Sequence, residues 1–251
     1  MKIIVALDYK NPLDALQMVA LLRDHVDGFK IGTALWSQSV YVKDYTKDKE
    51  LFIDCKLWDT PATVELVVNK IVAKGGTMAT ISTWNNDAVF KAIEKYADKI
   101  KLVGVSYLTS LTRDDIYEIH GDRLGFTWEP HVKRMLDHGF GGVVCSVQDL
   151  GAIRMADLNH KLTRICPGII ERLGDGPEWY GTHKQARTGT AVDAKKCGAD
   201  FIVVGRAVTK AVDPIQAIQK MRRDQVPLDP MGYPMESMNT YHQLRKSPPN
   251  E

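Results

Sequence analysis

The chain has 251 residues, of which 44% are hydrophobic and 25% are charged. This composition is typical of a globular protein and excludes a disordered or collagen-like chain. Lys and Arg total 33 against 31 Asp and Glu, and a net charge of +2 gives no electrostatic reason to expect a nucleic acid or a membrane as partner.

Short apolar runs alternate with longer segments in which apolar residues recur at helical spacing, as at Leu13, Leu16 and Val19. In chain order the pattern predicts strand 2–7, helix 11–26, strand 28–32, helix 38–48, strand 50–54, helix 61–74, strand 78–82, helix 87–97, strand 101–105, helices 113–119 and 131–137, strand 142–145, helix 149–158, strand 162–166, helix 190–197, strand 201–205 and helix 214–223.

The predicted strands do not alternate between polar and apolar residues, which is typical of parallel strands that are buried on both faces and covered by helices. Eight strand–helix units indicate the α/β class and a single-domain (β/α)₈ TIM barrel over residues 1–224. The alternative is an open, doubly wound sheet, which is disfavoured because no G-x-G-x-x-G turn follows the first strand. Residues 225–251 are polar and proline-rich, and we expect them to form either a tail over the barrel surface or a frayed end.

Cellular location is indicated by the cysteines and by the apolar segments. The four cysteines lack C-x-x-C spacing, and we expect reduced, buried thiols in a cytoplasmic protein; they are Cys55, Cys145, Cys166 and Cys197. Asp8 interrupts the apolar N-terminal run, so it does not resemble a signal peptide. No apolar run reaches the ~20 residues of a membrane span.

Charged residues follow or interrupt the first three predicted strands. Asp8 follows the first strand, Lys30 lies within the second, and the third leads into Asp54, Lys56 and Asp59. Because Asp54 and Lys56 are two positions apart in extended chain, their side chains share one face. The carboxyl ends of barrel strands are where function collects, so the pattern predicts a functional site there. The alternative is a structural cluster of ion pairs.

Glycines at two turns favour phosphate binding. Gly168 follows the seventh strand, and Gly205-Arg206 follows the eighth, where phosphate sites of this fold are usually found. The long loop 169–187 carries Gln185 and Arg187, and we expect it to act as a lid. The alternative interpretation is that these are ordinary turns.

The sequence resembles the orotidine 5′-phosphate decarboxylase family. The run DCKLWDTPATV, at 54–64, is similar to the family's D-x-K-x-x-D signature followed by proline and threonine. Further similar motifs occur in the family's order: VALD at 5–8, FKIG at 29–32, LTS at 108–110, VVCS at 143–146, CPGI at 166–169, Q-A-R at 185–187 and GADFIVVGRAVTKAVDP at 198–214. The D-x-K-x-x-D run is shared with keto-gulonate phosphate decarboxylases, and Lys30 together with the VVGR turn favours the orotidylate branch.

The resemblance implies roles for individual residues. Four positions match the family's catalytic array of alternating charges: Lys30, Asp54, Lys56 and Asp59. Eight positions match substrate-binding residues: Asp8, Thr60, Thr63, Thr109, Ser110, Gln185, Gly205 and Arg206.

Within that set, the resemblance places Asp8 and Lys30 at the ribose hydroxyls and Thr109 and Ser110 beside the pyrimidine. Gln185, Gly205 and Arg206 would bind the phosphate. The resemblance also implies a homodimer, since Asp59 and Thr63 would reach into the partner subunit's site.

The implied reaction converts orotidine 5′-phosphate to UMP in de novo pyrimidine biosynthesis, with neither cofactor nor metal. Loss of CO₂ leaves a carbanion at C6 of the pyrimidine, and stabilising it must be electrostatic. The Lys56 ammonium, held by Asp54 and Asp59, suits that task and can then donate a proton to C6.

Three positions depart from the family pattern. Ile170 stands where the family usually has arginine, Ser82 where it has histidine, and Thr190-Ala191 where it has Thr-Pro. Arg172 or Arg187 is a candidate replacement for the arginine. Two alternative functions remain: a catalytically silent barrel that binds nucleotide phosphates, and a related Mg²⁺-dependent sugar-phosphate decarboxylase, which predicts an acidic residue in place of Lys30.

Overall fold

Eight parallel strands form the centre of the computed structural model, which describes residues 1–38, 46, 48–121, 127–170 and 186–225. The strands are β1 (Lys2–Ala6), β2 (Gly28–Gly32), β3 (Glu50–Leu57), β4 (Met78–Ser82), β5 (Lys101–Val105), β6 (Gly142–Val144), β7 (Thr163–Cys166) and β8 (Phe201–Val204). Each strand pairs with the next, and β8 pairs with β1, as in Ile3 opposite Ile202. The predicted (β/α)₈ barrel is therefore confirmed, and the open sheet is excluded.

Helices cover the outside of this barrel. They are α1 (Pro12–Leu22), α2 (Thr33–Ser37), α3 (Pro61–Ala73), α4 (Asp87–Ile93), α5 (Arg113–His120), α6 (Glu129–Asp137), α7 (Leu150–Ala156), α8 (Ala191–Cys197), α9 (Arg206–Thr209) and α10 (Pro214–Asp224). Two 3₁₀ turns, Glu94–Tyr96 and Val147–Asp149, adjoin α4 and α7. Within the described ranges, none of the helices combines the length and apolar character needed to cross a bilayer.

Local sequence explains where the longer helices begin. Asn11 caps α1 by accepting a hydrogen bond from the Leu13 amide, and Pro12 occupies the first helical position.

The sequence pattern did not predict α2 and α9, because helices of five and four residues are too short for a periodicity signal. Most of the helix predicted at 38–48 lies outside the described residues, as does the tail at 226–251. The boundary at 224/225 stays a prediction.

The strand β3 is longer than predicted and contains an irregularity. It continues to Leu57, so Asp54 and Lys56 belong to the strand rather than to the loop after it. Ile53 pairs with Ala79 and Leu57 pairs with Ile81, with a shift of register between them. Three residues of β3 therefore lie opposite one residue of β4, as in a β-bulge.

The inside of the barrel is solid below its carboxyl end. Eight apolar side chains, none more than 5% exposed, fill it: Ile4, Ala6, Phe52, Met78, Val103, Ile165, Phe201 and Val203. A larger apolar layer packs between the strands and the helices. Charged side chains that point inward above these eight residues therefore lie at the carboxyl end of the barrel, which we call the mouth.

Candidate active site

Asp54 lies at the centre of a cluster of charges at the carboxyl ends of β1, β2 and β3. Its Oδ2 atom lies 3.2 Å from Nζ of Lys30 and 3.0 Å from Nζ of Lys56. Lys30 also approaches Oδ1 of Asp8 at 3.4 Å. The structure thus brings together four of the residues selected from the sequence, at the carboxyl ends of three adjacent strands.

Burial makes this cluster electrostatically strong. The side chains of Lys30 and Asp54 are each 12% exposed, whereas Lys56 is 42% exposed and faces the mouth. Burial disfavours the ammonium of Lys30, but the carboxylates of Asp54 and Asp8 outweigh it and raise the pKa of Lys30. Burial likewise disfavours the carboxylate of Asp54, but the two lysines outweigh it and lower the pKa of Asp54. Asp54 and Lys30 are therefore an ion pair near neutral pH.

The backbone at Lys56 is unusual. Its φ of 49° lies in the left-handed region, which a lysine adopts only where its surroundings require it. The Lys56 amide donates to Oγ1 of Thr80 at 2.8 Å, and Thr80 also bonds Oδ1 of Asp54 at 3.1 Å. The sequence analysis did not select Thr80. The feature that could have indicated it is a hydroxyl-bearing residue inside the largely apolar strand MATIS, at 78–82.

Asp59, the fourth predicted member of the charged array, is exposed and lies apart from the cluster. Its Oδ1 accepts from the Thr60 amide at 2.6 Å, just before α3. Thr60 and Thr63 bond each other through their hydroxyls at 3.0 Å, and both are exposed. Among the residues described, Asp59 forms no ion pair with Lys30 or Lys56, so the array within one chain is incomplete.

The other predicted substrate residues surround the same mouth. Thr109 and Ser110 lie in the loop after β5, and the Thr109 carbonyl accepts from the Arg187 amide at 3.1 Å. Gly205 follows β8, and Arg206 begins α9. Gln185 lies outside the described residues, as does most of the loop predicted to be a lid.

Of the two candidate replacements for the arginine missing at position 170, Arg172 lies outside the described residues. Arg187 faces the interior: its guanidinium donates to Asp149 and to the Leu108 carbonyl, and the residue is 8% exposed. Its donors are directed at the protein, so Arg187 is not a replacement for a phosphate ligand.

At the two other departures from the family pattern, the structure shows the contacts of the residues that are present. Thr190 caps α8 through a reciprocal pair of bonds with Asp193, so this helix starts without the family's proline. The Ser82 hydroxyl is buried and accepts from the Trp84 amide at 3.3 Å.

The cysteines are free, as predicted, but they are not all buried. Cys145 and Cys166 are buried with their sulfurs 3.9 Å apart, Cys55 is half-buried, and Cys197 is exposed. The prediction of burial was wrong for Cys197, which ends α8 on the outer surface.

The charged groups at the mouth form ion pairs with one another rather than a group of metal ligands. No group of three or more His, Cys, Asp or Glu side chains arranged to hold a metal ion occurs within the described ranges. The two carboxylates of the cluster, Asp8 and Asp54, both contact Lys30.

Comparisons with known proteins agree with this architecture. The profile described as the orotidine 5′-phosphate decarboxylase / HUMPS family matches residues 1–221. The chain is 31% identical to orotidine 5′-phosphate decarboxylase of Methylococcus capsulatus, covering 87% of this chain and 89% of that protein. It is 33% identical to the enzyme of the same name from Stenotrophomonas maltophilia, covering 89% and 92% of the two chains.

The fold also matches solved structures. A crystal structure of orotidine 5′-phosphate decarboxylase from Lactobacillus acidophilus superposes with a TM-score of 0.70 at 24% identity, covering 89% of this chain and 98% of that one. Together with the match over residues 1–221, these similarities show that the chain belongs to the orotidine 5′-phosphate decarboxylase / HUMPS family.

Proposed function

We propose that this protein decarboxylates orotidine 5′-phosphate to UMP in de novo pyrimidine biosynthesis, without a cofactor. Membership of the family supports the reaction class. The observation that carries the assignment is the single carboxylate oxygen of Asp54 that contacts both Lys30 and Lys56. This contact holds the Lys56 ammonium at the mouth of the barrel in the absence of substrate.

In the proposed reaction the bond between C6 and the carboxylate breaks, CO₂ departs, and the electron pair stays on C6. The ammonium of Lys56 stabilises that carbanion and then transfers a proton to C6, which leaves Lys56 as a neutral amine that regains a proton from solvent. Asp54 and Lys30 keep Lys56 oriented. Because the supporting charges are preorganised, little reorganisation is needed during the reaction.

The remaining residues would orient the substrate. We assign the ribose hydroxyls to Asp8 and Lys30, whose 3.4 Å contact already places them together. Thr60 also adjoins the substrate in this proposal. The pyrimidine and phosphate contacts fall to a further set of residues: Thr109, Ser110, Gln185, Gly205 and Arg206.

We propose a homodimer in which Asp59 and Thr63 enter the partner subunit's site. The separation of Asp59 from the cluster in one chain supports this arrangement. Two large apolar side chains beside these residues are exposed, Trp58 at 73% and Leu66 at 68%. Exposed apolar surface of this kind favours a protein interface. The biosynthetic role and the four free cysteines support a cytoplasmic location.

The test is to mix EDTA-treated protein with orotidine 5′-monophosphate and follow ultraviolet absorbance and UMP. We expect turnover in the wild type and its loss in Lys56→Ala. The matched control is Lys101→Met, which removes a lysine bonded to Thr163 at the opposite end of the barrel and keeps activity. No turnover by a wild type that still binds UMP would instead indicate a silent nucleotide-binding barrel.

Decarboxylation of a sugar-acid phosphate that EDTA abolishes and Mg²⁺ restores, with no turnover of orotidine 5′-monophosphate, would indicate a metal-dependent sugar-phosphate decarboxylase. The geometry does not favour that function, because Oδ2 of Asp54 already accepts two ammonium groups. A divalent cation at this oxygen would be repelled by both lysines.

A further inference from the structure

Thr80 occupies an uncommon position, directly opposite the bulge in β3. Ile53 and Ala79 are paired, Leu57 and Ile81 are paired, and the three residues 54–56 face Thr80 alone. Regular ladder bonds are therefore interrupted at the segment that carries Asp54 and Lys56. The Thr80 side chain is fully buried there.

The hydroxyl of Thr80 replaces the missing ladder contacts. The Lys56 amide can only donate, so Oγ1 of Thr80 accepts from it at 2.8 Å. The hydroxyl proton then remains to donate to Oδ1 of Asp54 at 3.1 Å. The other oxygen of Asp54, Oδ2, is left for the two lysines. One hydroxyl thus fixes the backbone of Lys56 and the rotation of the Asp54 carboxylate.

We propose that Thr80 is a positioning residue, whose hydroxyl holds Asp54 and Lys56 in the arrangement that the decarboxylation requires. Without this hydroxyl, the Lys56 amide loses the acceptor that β4 provides at the residue with the left-handed backbone. The Asp54 carboxylate also becomes free to rotate away from Lys56. A donor on a carboxylate stabilises its ionised form, so removing the hydroxyl also makes Asp54 easier to protonate. The inference rests on the proposed function.

The chain offers a matched control for this residue. Thr77 lies three positions earlier and bonds β3 in the same way, accepting from the Leu51 amide at 2.9 Å and donating to the Leu51 carbonyl at 3.3 Å. It joins the same pair of strands at the opposite end of the barrel. Thr77→Val therefore removes an equivalent cross-strand hydroxyl without touching the charged cluster.

The experiment compares Thr80→Val, Thr80→Ser and Thr77→Val. We expect Thr80→Val, which keeps the shape but lacks the hydroxyl, to lower kcat by about 10- to 100-fold with KM changed less than about threefold, in line with the loss of one buried hydrogen-bonding group. Thr80→Ser restores the hydroxyl and should recover most of kcat. Thr77→Val should keep wild-type kcat even where it lowers stability.

A second readout does not depend on turnover. Carbon-13 NMR titration of the Asp54 carboxyl in the ligand-free protein should show a higher pKa in Thr80→Val than in the wild type, and a return toward the wild-type value in Thr80→Ser. Should Thr80→Val fail to fold, Thr80→Ala removes the hydroxyl without placing a methyl group against Asp54, and the same comparison applies.

The outcomes separate the two hypotheses. A wild type without decarboxylase activity overturns the proposed function. In that case the NMR titration of Asp54 is the only test of whether the Thr80 hydroxyl holds Asp54 and Lys56 in place. Unchanged kcat and unchanged Asp54 titration in Thr80→Val overturn the role of Thr80. Equal losses in Thr80→Val and Thr80→Ser also overturn it, because the hydroxyl would then not be the cause.

Discussion

The guanidinium of Arg187 donates to the carboxylate of Asp149 inside the protein, where only 9% and 6% of the two side chains are exposed. Arg187 also donates to the carbonyls of Tyr107 and Leu108 at 3.2 and 3.0 Å. Asp149 in turn accepts from the amide and hydroxyl of Ser146. One buried ion pair therefore joins the segments that follow β5, β6 and β7.

Removing one partner of this pair should destabilise the fold strongly. Asp149→Ala leaves a buried guanidinium without its counter-charge, and we expect a loss of about 3–5 kcal/mol in the free energy of unfolding measured with urea. The matched control is Lys133→Ala, which breaks the exposed pair Lys133–Asp137 on α6 and should leave the urea midpoint unchanged. Equal midpoints for wild type and Asp149→Ala would contradict the prediction.

The charged cluster should make stability depend on pH in a defined direction. The folded pKa of Asp54 is lowered, so its contribution is complete above the unfolded value of about 4 and is lost as pH falls through the folded pKa. The folded pKa of Lys30 is raised, so its contribution is complete below about 10.4 and is lost as pH rises through the folded pKa.

The measurement is the difference in unfolding free energy between wild type and Asp54→Asn as a function of pH. We expect a plateau between about pH 5 and pH 9, and a decline at more acidic pH as Asp54 takes up a proton. The difference between the two proteins isolates Asp54 from the other carboxylates. A difference that stays constant into strong acid would mean that Asp54 is not an ionised carboxylate in the folded protein.

The proposed sharing of a site between subunits predicts complementation between inactive variants. Lys56→Ala and Asp59→Ala should each be inactive alone. In a mixed dimer, one site combines an intact Lys56 with the intact Asp59 of the other chain. After random exchange of subunits, we expect about a quarter of wild-type activity. If Asp59 instead acted within its own chain, the mixture would stay inactive.

Two glycines should respond oppositely to alanine. At Gly28, a Cβ atom would lie 2.6 Å from Cβ of Glu50 and 2.7 Å from its carbonyl oxygen, so strands β2 and β3 would have to separate. We expect Gly28→Ala to cost about 1–3 kcal/mol of unfolding free energy. Gly151 in α7 has no heavy atom within 4 Å of such a Cβ, and Gly151→Ala should stabilise by about 0.5–1 kcal/mol. A loss at Gly151 or a gain at Gly28, measured by urea unfolding, would contradict this reasoning.

Much of the barrel was predictable because each strand and each long helix has a recognisable pattern of apolar residues in the local sequence. The apolar runs and the helical periodicity locate all eight strands to within a few residues. The short helices α2 and α9 and the full length of β3 were not predicted. Their ends depend on contacts with neighbouring strands, and no local pattern records those contacts.

The charged cluster was only partly predictable. Lys30 and Asp54 stand out because charges are rare in buried strands, and strand ends of a barrel converge on one mouth. Thr80 does not stand out, since a threonine is ordinary in a strand. Its role arises because the bulge places it opposite residues 54–56, about 25 positions away in the chain.

The sequence by itself determined the strand order, the polar residues available at the strand ends, and the family to which these motifs point. Only the tertiary structure decided which of them meet: Asp54 with both lysines, Asp59 apart from them, and Arg187 with Asp149 rather than at the mouth. The physical reason is that charge pairing and burial depend on distances set by strand register and barrel closure. Those distances join residues far apart in the chain, whereas composition and periodicity report only on near neighbours.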